Sequence, residues 1–212
     1  MEKNTLCLGE ADLDQAVGLL ANGGLVALPT ETVYGLAADG LNTRAVEAIY
    51  EAKGRWEGKP LSVFVTDMEM VERLCRNIPE EAYRLAEAFW PGPLTLVLPD
   101  AGVVSDTVTA GGNTLGVRCP DHPITLEVVR RLGRPLAAPS ANPSGLPSPK
   151  DARAVLMGLS GKLDAVVDGG PCTVAVESTI VDLTERAPRI LRQGGLEAAK
   201  IWAVLEEGSI VP

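Results

Sequence analysis

Residues with useful chemistry in this chain stand where short apolar runs end. The run 25–28 stops at Pro29 and is followed by Thr30, Glu31 and Thr32, and the run 115–117 is followed by Arg118. The run 136–138 leads into 139–145, which carries Ser140, Asn142 and Ser144, and Glu177, Ser178 and Thr179 repeat the pattern. Lys53, Arg55 and Lys59 lie within seven positions, and Arg192 adds a further cation. Arginine offers paired N–H donors to phosphate or carboxylate, lysine a point charge, and small hydroxyls bond ribose or phosphate oxygens. Taken singly, each segment has a structural explanation, since hydroxyls at strand ends commonly cap turns and cations commonly reach out to water. Residues 28–40 taken alone are equally a strand-turn-strand connection. Together the segments describe a cationic, hydroxyl-lined site for an anion or nucleotide.

Other chemistries find little support. The chain has neither the glycine-lysine loop of P-loop proteins nor a dinucleotide-binding glycine fingerprint. Its one histidine, His122, precedes Pro123 at an expected helix start, so no Ser-His or Cys-His pair is evident. Cys7, Cys75, Cys119 and Cys172 are widely spaced and lack the pairing of a zinc site.

The elements that must position these residues alternate between strand and helix. Asp12 and Gln15 suggest a capping box ahead of a helix that stops at Gly23 and Gly24, and Thr43 is expected to cap a second helix running to about Lys53. A buried strand is expected at 61–65, then a short helix capped by Asp67 and another starting at Pro79. Strands at 94–98 and 115–117 flank a polar surface loop, 100–112. Helices are expected at 124–132 and 151–159, strands at 136–138, 165–168, 178–182 and 190–192, and a last helix at about 196–205. This order predicts an α/β fold, a single-domain twisted mixed sheet with flanking helices. In such sheets, loops at strand ends form ligand clefts.

The 212 residues fit one domain over 1–212, with the motif-bearing core at about 25–195. At 46% hydrophobic but only 4% aromatic, the core must rest on Leu, Val, Ala and Ile. A net charge of -9 opposes extended binding to a phosphate backbone, so weak or no direct RNA binding is expected. Without a signal-peptide pattern or a membrane-length apolar run, the expected location is cytoplasmic, with reduced thiols and no membrane partner.

The blocks LPTETVYGLAADG, KGRWEGKPLSV, LGVRCP, APSANPSG, ESTIVDLT and ILRQGG, in this order, resemble the YrdC-domain family in its short form. The resemblance implies a concave cleft on a twisted mixed sheet. It also implies threonylcarbamoyl-AMP synthesis, a nucleotidyl transfer from ATP, L-threonine and bicarbonate with release of pyrophosphate. Mg2+ would accompany ATP, and the product would pass to a tRNA threonylcarbamoyl transferase complex for threonylcarbamoyladenosine modification. By the same resemblance Lys53 and Arg55 are catalytic, and Lys53, Arg55, Lys59, Thr114, Asn142 and Arg192 bind ATP. Thr32, Arg118, Ser140 and Ser178 bind threonine.

Trp56 and Lys150 stand where the family commonly has proline and threonine, and Lys59 and Phe64 where some members have asparagine and histidine. The extra C-terminal domain of longer members is not expected. The alternatives are a nucleotide- or RNA-binding paralogue without synthesis and a carbamoyl-transfer module of the hydrogenase-maturation type. The latter's cysteine motifs are missing from this sequence.

Overall fold

Every residue from 25 to 40 is buried in the computed structural model, which describes residues 4–207. The segment holding the Thr-Glu-Thr loop is therefore interior, with β2 (Val26–Leu28) and β3 (Gly35–Asp39) running antiparallel on either side of it. They follow β1 (Leu6–Leu8) and α1 (Leu13–Ala21), and lead through α2 (Thr43–Lys53) to β4 (Ser62–Phe64). Next come α3 (Met68–Leu74), α4 (Glu80–Phe89), β5 (Leu94–Pro99), α5 (Asp106–Thr109), β6 (Thr114–Arg118), α6 (Pro123–Leu132) and β7 (Leu136–Ala137). The chain continues with α7 (Ala152–Leu159), β8 (Ala165–Val167), β9 (Thr179–Asp182), β10 (Arg189–Arg192) and α8 (Ala198–Glu207).

The strands form one mixed sheet in the order β1-β8-β2-β3-β7-β4-β6-β5-β9-β10. β1 and β2 flank β8 in parallel, and β4 with β6 and β5 with β9 are parallel as well. β3 with β7, β7 with β4, β5 with β6 and β9 with β10 are antiparallel. Helix α1 buries Leu13, Ala16 and Leu20 against β2, β3 and β8, and α4 packs on α8. The core is overwhelmingly aliphatic, with Tyr34, Tyr50 and Phe64 as its buried rings.

Several boundaries differ from expectation for local reasons. Asp12 does not close a capping box onto the helix; its carboxylate accepts from Gly9 N at 2.9 Å, closing the 3-10 turn at Glu10–Asp12. The second helix is capped by Asn42, whose side chain accepts from Ala45 N, while Thr43 Oγ1 accepts from Ser105 Oγ at 3.0 Å. Pro79 is the cap residue, and α4 starts at Glu80. The loop 100–112 is not wholly superficial: it contains α5, buries Val108, and its carbonyl at 108 accepts from Leu61 N at 2.8 Å. Leu196 lies outside the last helix because its N–H donates to Thr179 Oγ1 and its carbonyl accepts from the same hydroxyl. No helix among the described residues is long and apolar enough to cross a membrane.

Candidate functional site

The period-two alternation of strand side chains builds the floor of the site. Ser62 and Phe64 of β4, Thr95 and Val97 of β5, and Thr114, Gly116 and Arg118 of β6 line one cavity of about 380 Å3. Register aligns them, with Ser62 beside Gly116 and Phe64 beside Arg118. Glycine keeps the middle of this floor open, because a Cβ at 116 would sit tightly at 3.3 Å from Ser62 Cβ and in contact at 3.5 Å with Thr95 Cγ2. Thr114 and Arg118 mark opposite ends of β6, about 13 Å apart at the usual rise per residue.

At the far end of β6, Arg118 is only 5% exposed. Its Nη2 lies 2.8 Å from Glu31 Oε1, its Nε donates to Gly92 O at 3.3 Å, and its Cζ stands 5.8 Å from the Phe64 ring centroid. The Glu31 contact is ionic without hydrogen-bond alignment, since neither Glu31 Oε1 nor Arg118 Nη2 makes a directed hydrogen bond. The guanidinium is thus fixed in place with donors still to give. Phe64 supplies a cation-π face and packs where a Cβ on Gly35 would come within 3.1 Å of its ring. The Arg118 end therefore has an aromatic wall.

Thr32 reaches the cavity because Thr30 ties the preceding loop. Thr30 Oγ1 donates to Val33 O at 2.6 Å, accepts from Thr32 N and Val33 N, and lies 2.9 Å from Thr32 Oγ1. Below it, Tyr34 OH donates to Gly170 O and accepts from Gly169 N, and burial pushes this phenol up to about 12. On the far side, Ser178 Oγ is 2.8 Å from Thr95 Oγ1, and Arg192 donates from Nε and Nη2 to Ser178 O at 3.0 and 2.9 Å. Burial lowers the Arg192 pKa, the nearby Glu177 opposes that, and Arg118 adds to it.

Arg55 stands at the Thr114 end, with Nη2 donating to Pro60 O at 3.2 Å and Nε buried without a partner. Gly54, in the left-handed region at φ 59°, ends α2 and turns the chain so that Arg55 lines the cavity while Lys53 does not. Ser140 also lines it, carried by the 139–145 loop.

The structure thus brings Thr32, Arg55, Thr114, Arg118, Ser140, Ser178 and Arg192 to one cavity, but not Lys53, Lys59 or Asn142. Lys53 is buried and its ammonium donates to the carbonyls of Ser140 and Asn142 and to Asn142 Oδ1. Desolvation, assisted by Arg55, lowers its pKa to about 8. Asn142 Nδ2 in turn donates to Pro143 O and to Leu146 O at 2.6 Å. Both residues hold the loop that presents Ser140. Lys59 is exposed, and its contribution to the fold is a carbonyl that accepts from Tyr50 OH.

His122 caps α6 from a half-buried position and does not line the cavity. Trp56 and Lys150 are exposed. The sequence reading passed over Thr95 as a site residue and, while placing Glu31 in the loop, did not foresee its pairing with Arg118. Thr95 is signalled by a polar residue in the apolar strand LTLVL; Glu31 is signalled only by its place between two threonines. Among the described residues no group of three or more His, Cys, Asp or Glu is placed to hold a metal ion.

A family model for Sua5, YciO and YrdC proteins, described as Telomere recombination, matches residues 18–194. A threonylcarbamoyl-AMP synthase of Pyrococcus abyssi (strain GE5 / Orsay) is 49% identical over 197 residues, covering 93% of this chain and 58% of the relative. One of Bacillus subtilis (strain 168) is 46% identical over 201 residues, covering 94% and 58%. The solved structure of P. abyssi Sua5 complexed with L-threonine superimposes with a TM-score of 0.92 at 46% identity, covering 96% of this chain and 61% of that one. The chain therefore spans about 58% to 61% of the length of these relatives. With the family model matched over most of its length and these identities, the chain belongs to the Sua5/YciO/YrdC family.

Proposed function

We propose that this chain is a nucleotidyltransferase that makes threonylcarbamoyl-AMP from L-threonine, bicarbonate and ATP. The observation that carries the reading is Arg118, a fixed, largely buried guanidinium whose Nη1 makes no hydrogen bond among the described residues, in a ligand-sized cavity whose other end holds a second arginine. The names of the relatives and the threonine complex of P. abyssi Sua5 support it.

In this reading the threonine carboxylate pairs with Arg118, with Thr32 and Ser178 flanking it. Arg55, Thr114 and Arg192 take the nucleotide and its phosphates. Lys53 and Asn142 act by holding the loop that carries Ser140. The threonine nitrogen forms a bond to the carbon of bicarbonate, releasing water and leaving a carbamate. A carbamate oxygen then attacks the α-phosphorus of ATP, the bond to the β-phosphate oxygen breaks, and pyrophosphate leaves with the electron pair. No covalent enzyme intermediate is required, so positioning and charge neutralisation supply the rate. Among the described residues the one carboxylate lining the cavity is Glu177, which fits a Mg2+ ion carried chiefly by the phosphates, where it would share their charge. The product would serve tRNA threonylcarbamoylation in the cytoplasm.

The test is pyrophosphate release from ATP with L-threonine and bicarbonate supplied or withheld. Release is expected only when both are present. Release independent of either would overturn the reading in favour of a nucleotide-binding protein with a different activity.

A further inference from the structure

The three guanidinium groups lining the cavity are not electrostatically equivalent. Arg118 has Glu31 against it at 2.8 Å, each residue 5% exposed. Among the described residues neither Arg55 nor Arg192 makes an ion pair; Arg55 donates to the carbonyl of Pro60 and Arg192 to that of Ser178. Glu177 lies near Arg192, but its Oε1 accepts from Ser148 Oγ at 2.7 Å. Glu31 cannot swing away easily. Its Oε2 accepts from Asp121 N at 3.1 Å and its carbonyl from Val174 N at 2.7 Å.

We propose that Glu31 is a specificity-determining residue: it cancels the charge of Arg118 through the buried Nη2, while Nη1 makes no hydrogen bond among the described residues. That end of the cavity is thereby suited to the carboxylate of a zwitterionic amino acid and closed to polyphosphate. The inference rests on the functional reading above and deepens it. A polyanion gains in proportion to the uncompensated positive charge it meets, whereas an amino acid of zero net charge gains from directed bonds. A neutral ion pair with free donors therefore favours the amino acid. Without Glu31, three unpaired arginines in a cavity of about 380 Å3 would bind phosphate groups along its whole length. Threonine and pyrophosphate would then compete for Arg118.

The test is calorimetric titration of the whole chain with pyrophosphate and L-threonine, separately and together, in wild type and Glu31→Gln. The amide is isosteric and keeps an oxygen for Asp121 N. In wild type, saturating pyrophosphate should leave threonine affinity within about twofold. In Glu31→Gln, pyrophosphate should bind at least roughly tenfold tighter, the scale of one unit charge removed beside a partly buried site, and should weaken threonine by a similar factor. Unchanged or weaker pyrophosphate binding by the variant would overturn the proposal, because a merely structural role for Glu31 weakens both ligands. Competition between the two ligands in wild type would also overturn it, whether or not the variant folds. A wild type that binds no threonine refutes the functional reading instead, and the pyrophosphate arm still decides the role of Glu31.

Discussion

Replacing Arg118 by methionine should damage stability and threonine recognition by two separable routes. Methionine restores much of the volume but none of the charge, so Glu31, 5% exposed and tied to Asp121 N, becomes an unpaired buried carboxylate. Breaking a buried ion pair from one side costs about 3 to 5 kcal/mol. Loss of the cation-π contact with Phe64 adds about 1 kcal/mol. Urea unfolding of Arg118→Met should therefore show at least about 3 kcal/mol less stability than wild type. Removing a buried partner of the substrate carboxylate should raise the threonine KM at least roughly tenfold, while ATP affinity measured without threonine changes little.

The double variant Glu31→Gln/Arg118→Met separates the two routes. Neutralising both partners with groups of similar shape removes the stranded charge, so most of the lost stability should return. The threonine defect should remain. A single variant within about 1 kcal/mol of wild type would show that the ion pair contributes nothing. Recovery of threonine affinity in the double variant would show that Arg118 does not meet the substrate.

Arg55→Ala should lower kcat/KM by roughly a hundredfold, about 3 kcal/mol of lost charge stabilisation, in a steady-state pyrophosphate-release assay. Lys53 titrates near 8 in the fold against 10.5 unfolded, so between those values the unfolded chain binds the extra proton and folding gains as pH rises. The penalty for burying its charge is full below about pH 8 and lifts toward 10.5, so the stability of wild type minus that of Lys53→Met, from unfolding curves across this range, should climb by about 3 kcal/mol; a flat difference would refute the shift. Gly194→Ala places a Cβ 2.2 Å from Glu177 O and 2.4 Å from Ser178 C, so the backbone carrying Ser178 must move. A loss of about 3 kcal/mol in unfolding free energy is expected, together with a raised threonine KM. Binding to double-stranded RNA should be weak and vanish in moderate salt, given the net charge of -9; retention in an electrophoretic shift assay at high salt would contradict this.

The amino-acid sequence determined the grammar of the site. Apolar runs that stop ahead of Thr30, Arg118 and Ser140 are legible because a buried strand needs continuous apolar residues, and the first polar ones mark where its end meets a cleft. Ser178 instead stands immediately before β9, and the run 174–176 ahead of it, exposed at Val174 and Val176, forms no strand. Gly23 and Gly24 after α1 and the aliphatic composition likewise announced a helix end and the nature of the core. The edge strand β1 and the short helix α5 were missed because so few residues carry little periodicity of their own; β8 and the Leu61 backbone hold them in place. Only the tertiary structure decided which cations face the cavity. Lys53 and Arg55 look equivalent along the chain, yet the left-handed turn at Gly54 sends one ammonium to the carbonyls of a loop far away in sequence and the other cation to the cavity. The same holds for Glu31, whose charge has meaning only against Arg118, because the two meet through packing that no local pattern encodes.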